Sequence, residues 1–290
     1  MLRGIVIMAT RHPYYGRMAY NLACTIKASE QDFKVAVVHD AIGLKHLGPH
    51  QSDVFDYRIL LPEHYPTGFA TKLYADLLTP FDQTLVLDAD MLWLFKRTPS
   101  ELFDSLKDIS YTGITEGWVD VADMGDDSHV RKDYHFWADR EEIKKVYALT
   151  SGILYQWRSE VMYFEKTETV SKFFATARDI NRNPKLDSVL KFLDKIPDEL
   201  SINISSAIHG IEPHKKLWTP AYWHKMNNDI TRNPADLVNW YLVSFGNHWS
   251  NSSVKKLYDR IASIALKKLG RQHVFSLHSK KEYLPERIKM

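Results

Sequence analysis

The chain has 290 residues, 44% hydrophobic and 12% aromatic, with 38 Lys and Arg against 36 Asp and Glu for a formal charge of +2. That length and aromatic content exclude a disordered chain and a peptide-sized binding module, because so much apolar surface offsets the entropy of ordering. The near-zero total is uneven: residues 253–290 hold ten basic and three acidic residues, an excess of +7, which leaves residues 1–252 at −5. A single cysteine, Cys24, can form neither an internal disulfide nor a cysteine metal cluster, and fits a reducing, cytoplasmic compartment. No signal peptide is visible, and the apolar run over residues 4–9 is far short of the ~20 residues of a membrane span. The two Asn-x-Ser triplets, at Asn203 and Asn251, are read as chance.

In chain order, the β-branched run 4–9 predicts a strand buried on both faces, followed by a polar, aromatic loop from Thr10 to Tyr15. Apolar positions at helical spacing over 18–28 predict a helix, with Cys24 as a small core residue. Val35 to Val38 reads as a second strand ending at His39-Asp40, and strand, helix and strand in succession argue for a right-handed βαβ start and a largely parallel sheet. Residues 70–79 read as a helix closed by Pro80, and TLVLDADML as a third buried strand. Acidic residues dominate 111–142, which reads as an inserted surface excursion. A strand over 152–155, a helix over 160–177 and a helix opening at Pro197 follow, with strands near Leu217 and over 238–245 and a last helix over 254–269.

Several chemistries are absent. No two of the twelve glycines are separated by one residue, so no Gly-x-Gly exists, and neither a P-loop nor a His-Glu-x-x-His occurs. Gly113 and Gly117 flank Thr115, which excludes a hydrolase nucleophile elbow. The positive signal is Asp88-Ala89-Asp90 directly after the apolar Leu85-Val86-Leu87. Two carboxylates at a strand terminus are hard oxygen ligands that can converge on Mg²⁺ or Mn²⁺, metals that keep open positions for substrate phosphates. Crevices at the carboxyl ends of parallel strands are also where α/β proteins bind ligands.

Residues 71–92, Thr-Lys-Leu and then TPFDQTLVLDADML, resemble the nucleotide-sugar-binding segment of GT-A glycosyltransferases, in particular those similar to glycogenin and the bacterial lipopolysaccharide galactosyltransferases. The resemblance implies that Asp88 and Asp90 hold Mn²⁺ (or Mg²⁺) against the donor diphosphate, with Ala89 between them and Lys72 or lysines of the carboxyl-terminal segment assisting. It further implies that Thr10, Tyr14 and Tyr15 line a nucleoside pocket in which a Tyr stacks on uracil. Ser151-Gly152 is similar to the strand that faces the sugar, with Thr150 in place of the family's Asn. Asp198-Glu199 falls where the family carries Asp-Gln, and Glu199 would be a carboxylate able to act as nucleophile or base. His248 fits the third metal ligand although the family's Lys-Pro-Trp is missing after it, and His278 is its rival. The resemblance covers about 190 of the 290 residues, and only 71–92 is specific.

The expected architecture is therefore α/β: a GT-A-like, Rossmann-type mixed sheet flanked by helices. It is expected as one domain over 1–252, with a nucleotide-binding half about 1–95, an acceptor half about 96–252 and an insertion about 111–145, followed by a basic helical segment over 253–290. The expected activity is metal-dependent transfer of a sugar from a nucleoside-diphosphate sugar, a UDP-sugar by resemblance, with retention of configuration. The basic segment suits an anionic acceptor, modified DNA bases or a lipopolysaccharide-type glycan; the resemblance also implies a phage-encoded chain as one source of the DNA expectation. Two alternatives remain open, an inactive GT-A-fold binding protein and a haloacid-dehalogenase-like phosphatase. For the latter, Gly125-Asp126-Asp127 follows VLDADML too closely for the fold's intervening βα units. Trp223 and Trp249 are expected to be packing residues.

Overall fold

The computed structural model describes residues 1–95, 97–120, 140–149, 153–183, 197–213, 221–222, 241–245 and 252–271. The elements are β1 (Arg3–Ala9), α1 (Pro13–Ser29), β2 (Lys34–His39), α2 (Pro49–Ser52), β3 (Tyr57–Leu60), a 3₁₀ turn (Phe69–Tyr74), α3 (Ala75–Leu78), β4 (Gln83–Asp88), β5 (Met91–Trp93) and α4 (Pro99–Ser105). They continue with β6 (Tyr111–Asp120), α5 (Arg140–Tyr147), β7 (Ile153–Glu165), α6 (Glu168–Asn181), α7 (Asp198–His209), β8 (Ala221–Tyr222), β9 (Leu242–Ser244) and α8 (Ser252–Lys268). A six-stranded mixed sheet flanked by helices results, with the order β3-β2-β1 in one of two compact units and β4-β7-β6 in the other. None of the described helices is long and apolar enough to cross a membrane.

The first unit holds Arg3–Pro62, Leu87–Lys107 and the described residues from 221 on. Its βαβ start is parallel as expected, with Gly4 opposite Lys34 and Ala9 opposite His39, because apolar β-branched residues on both faces of β1 and β2 suit a strand covered on both sides. Asp56 closes the entry to β2: its carboxylate accepts from the Val35 amide at 2.9 Å, Lys27 at 2.7 Å and Lys34 at 3.0 Å. Cys24 is fully buried, and burial pushes its thiol up to about 12, so it is an inert core residue. A small second sheet, β5-β9-β8, pairs Met91 with Ser244 and Trp93 with Leu242. The expected single strand TLVLDADML is therefore two, since the chain leaves the main sheet at Asp88 and enters the small one at Met91. Val254, Leu257, Tyr258, Ile261, Ala262, Ala265 and Leu266 turn one face of α8 into the core against α1 and β5.

The second unit holds Met1–Leu2, Glu63–Val86 and the described residues between 108 and 213. Here the structure departs from the sequence-based expectation. Residues 111–120 form β6, paired antiparallel with β7 from Tyr111 opposite Phe164 to Asp120 opposite Ile153, instead of opening a surface excursion. Residues 160–165 continue β7 rather than starting a helix, because pairing with β6 buries Val161, Met162, Tyr163 and Phe164, and α6 starts only at Glu168 behind its Thr167 cap. Gly113 gives the ring its room there: a Cβ on it would lie 3.0 Å from the Trp157 ring, which would have to give by a few tenths of an ångström. Tyr111, Trp157, Phe164, Phe173 and Phe174 pack as an aromatic core, each worth ~1.5–3 kcal/mol of burial. Trp157 locks α7 onto β7: its amide donates to Asn203 Oδ1 at 2.9 Å and its indole to Ser206 at 2.7 Å. Asn203 is thereby buried, which agrees with its triplet being chance. The expected strand near Leu217 lies outside the described residues.

Candidate active site

Each unit carries part of the predicted constellation. In the first, Asp88 follows the completely buried Leu87 and is half-buried, with Ala89 buried and Asp90 half-buried. The Asp90 carbonyl accepts from the Phe245 amide at 3.1 Å, so the small sheet clamps the Asp-x-Asp turn from its far side. α1 begins at Pro13 behind His12, whose Nδ1 accepts from the Tyr14 amide at 3.1 Å, and Tyr14 is thereby folded into the core. Burial raises the Tyr14 phenol far above its ordinary value, and the charges of Asp90 and Asp259 add to this. Tyr258 of α8 accepts from Asn21 Nδ2 at 3.1 Å and is raised in the same way, by burial first and then by Tyr14, Asp259 and Asp90. Thr10 is buried; Tyr15 is half-buried and is the member of the Tyr14-Tyr15 pair with accessible ring surface.

In the second unit the 3₁₀ turn places Lys72 inside the protein, 6% exposed. Its ammonium donates to Ser159 Oγ at 3.1 Å and lies 3.9 Å from the Asp198 carboxylate, itself 3% exposed in the first turn of α7. The positive end of that helix favours two acids, and Glu199 beside it faces Arg158 at 3.7 Å. Beneath Asp198 lies Tyr111, whose phenol is raised by complete burial and secondarily by the Asp198 charge. The pair predicted from sequence, Asp198 and Glu199, thus sits in a polar cluster with Lys72, Ser159 and Arg158, with Tyr111 close enough to feel the Asp198 charge. No motif marks Ser159, Arg158 or Tyr111, which come from β6 and β7 and reach α7 only through pairing distant in sequence. Tyr258, Asn21 and Asp259 escaped for the same reason, although the apolar spacing of 254–269 did place Tyr258 on the buried face.

Ser151, Gly152, Thr150, His248, His278, Trp223, Trp249 and the Gly125-Asp126-Asp127 stretch lie outside the described residues. Among the described residues no three His, Cys, Asp or Glu side chains cluster as a metal cage. Asp88 and Asp90 nevertheless fit a Mg²⁺ or Mn²⁺ ion chemically, since such an ion takes one or two carboxylates and fills its remaining positions with water and substrate phosphate oxygens.

Neither a family model nor a curated protein matches the chain. Solved structures do. The galactosyltransferase LgtC, in complex with donor and acceptor sugar analogs, matches over 91% of this chain and 95% of its own at 14% identity, with a TM-score of 0.55. The bifunctional glycosyltransferase WbbM matches over 93% of this chain at 12% identity and a TM-score of 0.55, and the chain spans only 52% of its length. The glycosyltransferase GlyE of Streptococcus pneumoniae matches over 93% and 63% at 10% identity, with a TM-score of 0.52. The fold is that of the GT-A glycosyltransferases. In this GT-A frame the Asp-x-Asp turn stands at the end of β4, the strand on which the sequence placed it.

Proposed function

We propose that the chain is a metal-dependent glycosyltransferase that moves a sugar from a nucleoside-diphosphate sugar, a UDP-sugar by resemblance, to an acceptor. The observation that carries this reading is a two-carboxylate turn, Asp88 and Asp90, delivered by a fully buried strand of a GT-A fold and clamped by the small sheet. Asp88 and Asp90 would hold Mn²⁺ or Mg²⁺, with His248 as the proposed third protein ligand. A divalent cation there supplies electrostatic stabilisation of the charge that builds on the departing diphosphate. Thr10, Tyr14 and Tyr15 are proposed for the nucleoside, with Tyr15 presenting its ring to the base, and Ser151 and Gly152 for the sugar.

Asp198 and Glu199 are proposed at the reacting end. The Lys72 ammonium, 3.9 Å away, and the positive end of α7 are the charges that face the Asp198 carboxylate. Glu199, more open than Asp198 and 3.7 Å from Arg158, is proposed to stabilise positive charge on the sugar, or to bond to its anomeric carbon as the bond to the diphosphate breaks, the acceptor oxygen then displacing the carboxylate. A GT-A fold favours neither the phosphatase nor, with both aspartates kept, an inactive binding protein.

The test is UDP release from UDP-sugars with and without Mn²⁺. Chelation is expected to abolish release, and the Asp88→Ala/Asp90→Ala double variant to fall by at least ~100-fold, the scale of losing one well-placed electrostatic group. Undiminished release from that variant refutes the metal assignment.

A further inference from the structure

We propose that α8 is a docking surface for the phosphate backbone of a nucleic acid. Its apolar face is consumed in the core, so the opposite face is what solvent and partners meet. The exposed residues Ser253, Lys256, Arg260, Ser263, Ile264, Lys267 and Lys268 recur at three- and four-residue intervals and therefore lie along one side of the helix. This stripe carries four cations and no acid. The single acid of α8, Asp259, flanks the stripe but is half-buried, and its charge acts on the buried phenols of Tyr14 and Tyr258. The amino-terminal end of the stripe borders an open cavity of about 320 Å³ lined by Ser253, Lys256, Leu257 and Arg260, so a hydroxyl and two cations stand at its wall beside a helix start that has no acidic residue in its first turn.

The extent of the stripe selects the partner. From Lys256 to Lys268 the helix rises ~18 Å, too long for a single phosphate and about the axial span of five nucleotides of one strand. A cavity with two cations on its wall accepts a backbone phosphate projecting from a polymer. Membrane-surface helices insert apolar and aromatic residues, and here the one exposed apolar residue among those cations is Ile264, with no aromatic residue beside it. As the acceptor-binding surface of the enzyme, the stripe rests on the glycosyltransferase reading; as a binding surface it does not, and its test needs no turnover.

The full chain is titrated against labelled 20-nucleotide single strands and 20-base-pair duplexes of random sequence at 50 and 200 mM salt, and against phosphatidylserine vesicles. Four phosphate contacts predict that duplex affinity falls on the order of 100-fold across that salt range. The variant Lys256→Glu/Arg260→Glu/Lys267→Glu/Lys268→Glu, whose changes are all at exposed positions, is expected to lose at least ~100-fold at 50 mM. Reversal of the exposed Lys45, Lys107, Lys145 and Lys172 instead, with the same change in net charge, is expected to cost only a few-fold. Equal losses in the two variants, binding to vesicles but not to oligonucleotides, or salt-independent binding overturns the proposal. If UDP release fails while this docking is observed, the surface stands and the glycosyltransferase reading falls.

Discussion

Lys72 shows how one side chain decides what its neighbours can be. An ammonium 6% exposed is costly to bury, and at 3.9 Å from Asp198 and 3.1 Å from Ser159 it exchanges its water for a carboxylate and a hydroxyl. Replacing Lys72 by Met removes the cation paired with a buried carboxylate, and a loss of ~3 kcal/mol in urea unfolding is expected, most of it regained in Lys72→Met/Asp198→Asn. If the single and double variants are equally unstable, the pair is not what holds this network. Tyr111 makes the opposite case. Its hydroxyl is buried without a hydrogen-bond partner beneath Asp198, so deleting it relieves an unmet donor. Tyr111→Phe is expected to raise stability by ~1 kcal/mol, and a loss of stability in the same unfolding experiment contradicts that account.

At the scale of elements, the end of β1 is built by two close backbone approaches. A Cβ on Gly16 of α1 would stand 2.0 Å from the Gly43 carbonyl oxygen, and a Cβ on Gly43 would stand 2.0 Å from that of Ala9. Asp40 finishes the corner, its carboxylate accepting from the amides of Arg11 at 2.5 Å and Gly43 at 2.8 Å. Backbone atoms cannot yield as a flexible side chain can, so Gly43→Ala must push the loop after β2 away from the end of β1. A cost of about 3 kcal/mol is expected, the upper range for overpacking, together with, on the proposed function, weaker binding of UDP through displacement of Thr10 and Tyr15. Calorimetric titration of UDP against this variant checks it, and wild-type affinity combined with wild-type stability would show that the corner tolerates a methyl group. The segment from the end of β1 into α1 carries the residues assigned to the nucleoside by resemblance, but the interlock comes from glycines 27 positions apart that no local pattern connects.

Over the whole molecule, Tyr14, Tyr111 and Tyr258 are tyrosines in closed interiors of the two units, each raised first by burial. The fold favours the protonated phenol, so between the ordinary value near 10 and the raised ones the folded chain binds more protons than the unfolded chain. Stability is therefore full below about pH 10 and falls as pH rises further, by up to ~4 kcal/mol per pH unit for three groups. Urea midpoints at pH 9 and pH 11, read with tyrosinate absorbance, check this; a flat midpoint with early ionisation contradicts it. What the sequence determined by itself is local: the apolar strand ending in Asp88-Ala89-Asp90, the parallel βαβ start, Cys24 as core and the amphipathic α8 all depend on residues within a few turns of one another. Periodicity failed over 111–120 and 160–165, where a bulged antiparallel pair supplied the burial that the local pattern lacked. Only the tertiary structure brought Ser159 to Lys72, 87 positions away, and Asn21 to Tyr258, 237 positions away. A buried polar group accepts whichever partner the packed chain delivers, and that choice is written in topology rather than in spacing.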